Sequence, residues 1–96
     1  MSRSFDVAVL GATGLVGQHM IEILQQRGFP VNKLYPLASS RSAGGKVTFK
    51  GEEITVLDAD TFDWSLVQLG FFSAGGSVSE KFAPIAAEAG CVVIDN

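Results

Sequence analysis

Cysteine occurs once, at Cys91, and histidine once, at His19, so the 96-residue chain forms no internal disulfide, and these two side chains build no metal cluster without other ligands. Long hydrophobic runs are missing as well. No stretch approaches the roughly 18 apolar residues of a membrane span, and Gly11 cuts the N-terminal apolar run too early for the core of a signal peptide. The expected location is cytoplasmic. Basic residues are scarce, seven against ten acids, and a net charge of −3 argues against a nonspecific nucleic-acid binder. The basic charge present is gathered: Arg27, Lys33, Arg41, Lys46 and Lys50 are five of the seven, with no acid between Glu22 and Glu52. That leaves room for a local anion site inside an acidic chain.

With 47% hydrophobic and 18% charged residues, no repeat and no linker-like tract, the chain reads as one small domain. "FDVAVL" is a short continuous apolar run, expected of a strand covered on both faces. A helix follows, with Val16, Met20, Ile23 and Leu24 as its apolar stripe and Gly28 as its left-handed cap. "KLYPLAS" reads as a second strand, with Pro36 pointing to a strand end or an edge position. "KVTFK" and "EEITVLD", around "GE", read as an antiparallel hairpin. "DADTFDWSLVQ" suggests a turn and short helix packing Phe62, Trp64, Leu66 and Val67. "LGFFSA" is the next strand. It precedes a helix with a Ser77/Glu80 capping box and a stripe of Phe82, Ile85, Ala86 and Ala89, in which Pro84 must be accommodated near the start. "CVVIDN" closes as another apolar strand. The expected fold is α/β, a Rossmann-like, doubly wound, mainly parallel sheet with a small antiparallel hairpin.

"GATGLVG" lies between the first strand and the first helix. Strand, glycine turn and helix together present backbone amides and the positive end of a helix dipole to an anion, and a dinucleotide's pyrophosphate fits that description. Gly11 would permit the turn, Gly14 would let the pyrophosphate reach the backbone, and Gly17 would let the helix pack tightly on the sheet; Thr13 adds a hydroxyl. The spacing is G-x-x-G-x-x-G rather than G-x-G-x-x-G, and a plain tight turn is the competing reading. A phosphate-binding P-loop is a poorer fit, because Gln18 and His19 stand where Lys and Ser or Thr would follow the glycine. About 20 residues on, the acid that would bind an NAD ribose is missing. "ASSRSAGGK" stands there instead, with Ser39, Ser40, Arg41 and Ser42 able to grip a 2′-phosphate, so NADP is the expected cofactor against the alternative of an incidental polar loop. "FFSAGGSVSE" repeats the device, with Ser73, Ala74, Gly75 and Gly76 bringing bare backbone to the same crevice.

Taken together, "GATGLVG", "ASSRSAGGK" and "FFSAGGSVSEKFAPIAAEAGCVVIDN" resemble the N-terminal cofactor domain of the bacterial aspartate-semialdehyde dehydrogenases across essentially the whole chain. The resemblance implies NADP as cofactor and a reaction between aspartyl phosphate and aspartate semialdehyde, with phosphate as co-product, in lysine, methionine and threonine biosynthesis. It places Thr13, Gly14, Leu15 and Val16 on the pyrophosphate, Arg41 and Ser42 on the 2′-phosphate, Ser73, Ala74 and Gly75 near the middle of the cofactor, and Asn96 toward the nicotinamide. It further implies that residues 1–96 are an NADP-binding domain incomplete at its C-terminus. The catalytic and dimerisation domain, with its asparagine-cysteine nucleophile, would lie downstream in a homo-oligomeric enzyme, and this piece would bind cofactor without turnover. No catalytic residue is expected here: Cys91, at the start of a strand, reads as packing, and His19 as a surface residue. An N-acetyl-glutamyl-phosphate reductase-like enzyme and a noncatalytic NADP-sensing module are the alternatives. A short-chain dehydrogenase fits less well, since the Tyr-x-x-x-Lys it needs is Tyr35 followed by Ser39.

Overall fold

The computed structural model describes residues 3–73 and 76–95. Five parallel strands form the main sheet in the order β5-β2-β1-β6-β7, where β1 is Phe5–Leu10, β2 Val31–Ala38, β5 Leu57–Asp58, β6 Leu69–Phe72 and β7 Val92–Asp95. Two helices, α1 (Leu15–Gln26) and α2 (Gly76–Glu88), connect them, and a separate antiparallel hairpin pairs β3 (Lys46–Phe49) with β4 (Glu52–Thr55). The alternation of β1 decides the layering. Val7 and Val9 pack with Ile21 and Leu24 of α1 and Phe49 of the hairpin, whereas Ala8 and Leu10 pack with Trp64, Phe72, Phe82 and Ala86 on the α2 side. A strand buried on both faces must be apolar throughout, which is why "VAVL" carries no polar residue. The sheet is doubly wound, and its order reverses at β1, between β2 on one side and β6 on the other.

Several elements differ from the sequence expectation for identifiable reasons. The buried stripe of α1 is Gly17, Ile21 and Leu24, while Val16 is 48% exposed and Ile23 half-buried. A glycine occupies the closest contact, so the packed face is displaced from the hydrophobic count. The helix ends as expected: Gly28 is left-handed at φ +61°, its N–H donates to the Gln25 carbonyl, and Phe29 N–H donates to the Leu24 carbonyl, completing a Schellman motif. Pro36 sits fully buried inside β2, opposite Val9. It is tolerated because β5 reaches only Leu37 and Ala38, leaving the outer side of β2 without a strand partner at Pro36.

The hairpin turns at Lys50 and Gly51, both with positive φ (52° and 81°), the two-residue turn favoured by the twist of antiparallel strands. "EEITVLD" is divided: after Thr55, Val56 is buried and Leu57–Asp58 leave the hairpin to join the main sheet as β5. "DADTFDWSLVQ" forms two 3₁₀ turns, Ala59–Thr61 and Trp64–Leu66, capped by the carboxylates of Asp58 and Asp63. Trp64 and Val67 are buried there, but Leu66 is 46% exposed. The second helix starts at Gly76, so Ser77 lies inside its first turn rather than at the cap, and Pro84 lies well inside the helix. Its packed side is Ser79, Phe82 and Ala86, with Ile85 and Ala89 turned outward. In β7, Val92 and Ile94 are exposed because only the α2 side of this edge strand, where Val93 packs, is covered. No helix among the described residues is long and apolar enough to cross a membrane.

Candidate functional site

The parallel strands deliver the ends of β1, β2 and β6 to one edge of the sheet, at the point where the strand order reverses. Leu10, Gly11, Thr13, Gly14, Ala38, Ser39, Ser42, Ser73 and Val78 line a crevice of about 250 Å³ there. The glycine turn is built into the sheet before it meets any ligand. Gly11, at φ +86°, and Ala12 both donate their N–H groups to the Leu37 carbonyl, at 2.9 and 3.0 Å, and Gly14 donates to the Gly11 carbonyl at 3.1 Å. Only glycine adopts the Gly11 conformation without strain. The Gln18 amide bonds to the Gly14 carbonyl and opens the helical ladder. Leu15, Val16 and Gly17 therefore supply the first-turn donors that a helix leaves without an intrahelical acceptor. Gly14 caps the helix without a side chain, so bare backbone faces the crevice at the positive end of the α1 dipole.

The three glycines have different duties. A Cβ on Gly17 would stand 2.0 Å from the Gly11 carbonyl oxygen and 2.9 Å from Ala12 Cα, so this glycine admits the turn's own backbone; the close approach is to the loop and not to the sheet. A Cβ on Gly14 would meet only that oxygen, at an ordinary 3.5 Å, leaving open space on the crevice side. Across the crevice, Ser73 N–H and Oγ both bond to the Leu10 carbonyl, at 3.0 and 2.8 Å, which ties the mouth of β6 to that of β1. Having donated its proton, the hydroxyl keeps both lone pairs as acceptors, and Ser73 lines the crevice.

The loop after β2 is braced at both ends. Ala38 pairs with Asp58, while Gly44 N–H bonds to the Val56 carbonyl and Val56 N–H to that of Gly45. Between these anchors, Ser39 accepts from the amides of Ser42 and Ala43 at 2.9 Å, forming a single tight turn with Arg41 exposed at its surface. A planar guanidinium on such a turn can bind a phosphate bidentately.

Against known families, the one described as semialdehyde dehydrogenase, NAD binding domain, matches residues 6–96. The chain belongs to this family. Relatives of the domain include the aspartate-semialdehyde dehydrogenase of Shewanella violacea, 71% identical over all 96 residues, of which the chain spans 28% of the length. Among solved structures, aspartate semialdehyde dehydrogenase II of Vibrio cholerae complexed with ASA superposes with a TM-score of 0.95 at 55% identity, over 98% of this chain and 31% of that one. The Candida albicans aspartate semialdehyde dehydrogenase with NADP gives a TM-score of 0.75 at 26% identity, over 98% and 30%.

In this semialdehyde dehydrogenase domain, six of the residues singled out from sequence, Gly11, Thr13, Gly14, Ser39, Ser42 and Ser73, share the crevice wall. Leu15, Val16 and Arg41 are exposed, close in sequence to lining residues, and are not themselves among the lining. Ala74, Gly75 and Asn96 lie outside the described residues. Leu10 and Ala38 were missed, though each is the last residue of a strand that the apolar pattern marks. Val78 had no local signal, since it reaches the crevice from the first turn of α2. Cys91 is buried in the α2-side core, where burial pushes its thiol pKa up, away from the reactive thiolate form. It precedes β7, at the opposite edge of the sheet from the crevice. His19 is exposed on α1. No group of three or more metal-ligating side chains occurs among the described residues.

Proposed function

We propose that this chain is the dinucleotide-binding portion of an aspartate-semialdehyde dehydrogenase and that the dinucleotide is NADP. In this reading residues 1–96 form an NADP-binding domain that has no turnover by itself, with catalysis and subunit association supplied elsewhere in a longer, homo-oligomeric, cytoplasmic enzyme. The observation that carries the proposal is the bare-backbone crevice at the reversal of strand order, backed by the first-turn amides of α1. Its residues fit the group: amides for a pyrophosphate, an open side at Gly14, and a braced loop presenting Ser39, Arg41 and Ser42 where a 2′-phosphate would lie.

Bound there, the reduced cofactor supplies a hydride for the conversion of L-aspartyl-4-phosphate to L-aspartate 4-semialdehyde, with release of phosphate. The residues of this chain contribute binding and orientation. Leu15, Val16 and Gly17 amides hold the diphosphate, Ser73 fixes the opposite wall, and Arg41 with Ser42 selects the phosphorylated ribose. The clustering of basic residues between Glu22 and Glu52 favours such an anion within an acidic chain.

Calorimetric titration of the chain with NADP and NAD tests the assignment. NADP is expected to bind more tightly, and Arg41→Ala to weaken NADP by about 1.5 to 3 kcal/mol, the scale of a charged hydrogen bond, with NAD much less affected. Equal or tighter binding of NAD, or unchanged NADP affinity in the variant, would overturn the cofactor assignment.

A further inference from the structure

The outer side of the 2′-phosphate loop carries a chain of side-chain contacts that the crevice itself does not use. Ser40, between Ser39 and Arg41, donates its hydroxyl to Asp58 Oδ2 at 2.8 Å and lies 3.4 Å from Asp60 Oδ2. Asp58 Oδ1 accepts the Asp60 amide at 2.9 Å, which places both carboxylates on one capped 3₁₀ turn. Asp60 Oδ1 then receives Lys81 Nζ at 2.7 Å, and the same ammonium lies 5.0 Å from the Phe82 ring centroid. Three segments distant in sequence are thereby joined: the loop after β2, the turn after β5, and the middle of α2. The loop and α2 both also reach the crevice, through Ser39 and Ser42 on one and Val78 on the other.

We infer that Ser40, Asp58, Asp60 and Lys81 form a positioning network that holds the Arg41 loop at a set distance from α2 and so governs selectivity for the phosphorylated ribose. The inference rests on NADP occupying the crevice. Backbone bonds tie the loop to neighbouring strands only at its ends, at Ala38 and at Gly44 and Gly45, and fold its centre on itself through the Ser39 carbonyl. The Ser40 hydroxyl ties that centre to the turn after β5. A hydroxyl between two carboxylates has one proton to give, and it gives it to Asp58, leaving Asp60 for Lys81. Pyrophosphate contacts at α1 do not pass through this network, so its loss falls on the phosphorylated ribose.

Titrations of the chain with NADP and NAD at low salt, using Ser40→Ala, Asp58→Asn and the double variant, test the inference. Each single change is expected to raise the Kd for NADP roughly three- to tenfold, the scale of one ordinary net hydrogen bond, and the Kd for NAD by less than about twofold. The double variant should be no worse than the weaker-binding single variant, because Ser40→Ala already removes the bond that Asp58→Asn strips of its charge. Ser40→Thr, which keeps the hydroxyl, should restore the ratio. Equal losses for NADP and NAD would mean that the residues only support the fold, and unchanged NADP affinity would mean that the loop needs no tie; either result overturns the inference. If Arg41→Ala leaves NADP binding intact, the cofactor assignment fails instead, so the two failures are distinguishable.

Discussion

Adding one methyl group at Gly17 should destabilise the fold, although the same change in an ordinary helix stabilises it. Gly17 lies in the first turn of α1 with helical geometry, where alanine normally gains about 1 kcal/mol over glycine. Here the new Cβ would fall 2.0 Å from the Gly11 carbonyl oxygen, 2.7 Å from its carbon and 2.9 Å from Ala12 Cα. All three are backbone atoms of a turn pinned to Leu37 by two hydrogen bonds, so no side chain can swing aside. To reach even 3.0 Å the helix must lift by about 1 Å, and overpacking of this kind costs typically 1–3 kcal/mol, or more when the neighbours are rigid. Rigid backbone neighbours put the cost in the upper part of that range, about 2–3 kcal/mol, so after the propensity gain Gly17→Ala should lose about 1–2 kcal/mol. For a domain near 100 residues each kcal/mol shifts Tm by roughly 4–8 °C. Urea and thermal unfolding followed by circular dichroism measure both quantities. A variant as stable as the parent, or more stable, would refute the close approach at Gly17 and with it the geometry of the turn.

Gly14→Ala provides the complementary case: its Cβ meets a single atom at 3.5 Å and the residue has an extended φ of −79°, so the fold should lose less than about 1 kcal/mol. Its methyl should nevertheless intrude on the crevice and raise the Kd for NADP tenfold or more; unchanged affinity would remove Gly14 from the phosphate site. Trp64 is 3% exposed, with its ring centroid 5.2 Å from that of Phe62, 5.5 Å from Phe72 and 6.2 Å from Phe82. Trp64→Ala should cost about 3–5 kcal/mol in urea unfolding, and a loss under about 1.5 would show that the α2-side core does not depend on it. Acid sensitivity should fall on Asp60, whose carboxyl the hydrogen-bonded Lys81 ammonium holds below the usual carboxylate range. Because the folded-state pKa is the lower one, this contribution is fully present above the unfolded aspartate value and disappears as pH falls through the folded value. Asp60→Asn should flatten the dependence of the urea midpoint on pH in the acid range, and an unaltered profile would contradict the assignment.

The βα scaffold was legible because its signals are local. "VAVL" is apolar enough to bury both faces, "GATGLVG" reads as a turn, and "KVTFKGEEIT" alternates around a glycine. Where sequence reading faltered, the deciding contact was one that residue identity does not advertise. Glycine contributes nothing to a hydrophobic count, so the buried side of α1 read as Val16 and Ile23 when it is Gly17 and Ile21. Val92 and Ile94 look like core in a continuous apolar run, but burial of an edge strand depends on what covers it. "EEITVLD" alternates uniformly, and only the buried side chain and backbone bonds of Val56 mark where the hairpin ends and the main sheet resumes. The crevice followed the same division. Its strand-end residues were readable from motif and pattern, whereas Val78 and the Ser40–Asp58 tie depend on how distant segments dock.

Amide chemical shifts recorded during titration with NADP test the central claim most directly. The account predicts that the largest changes fall on residues 13–17, on Ser39 to Ser42 and on Ser73, around the mouths of β1, β2 and β6. A second cleft of about 380 Å³ lies between α1 and β3, lined by Gln18, Glu22, Gln25, Lys46 and Thr48 among others. Shifts confined to those residues, with the glycine turn unmoved, would contradict it.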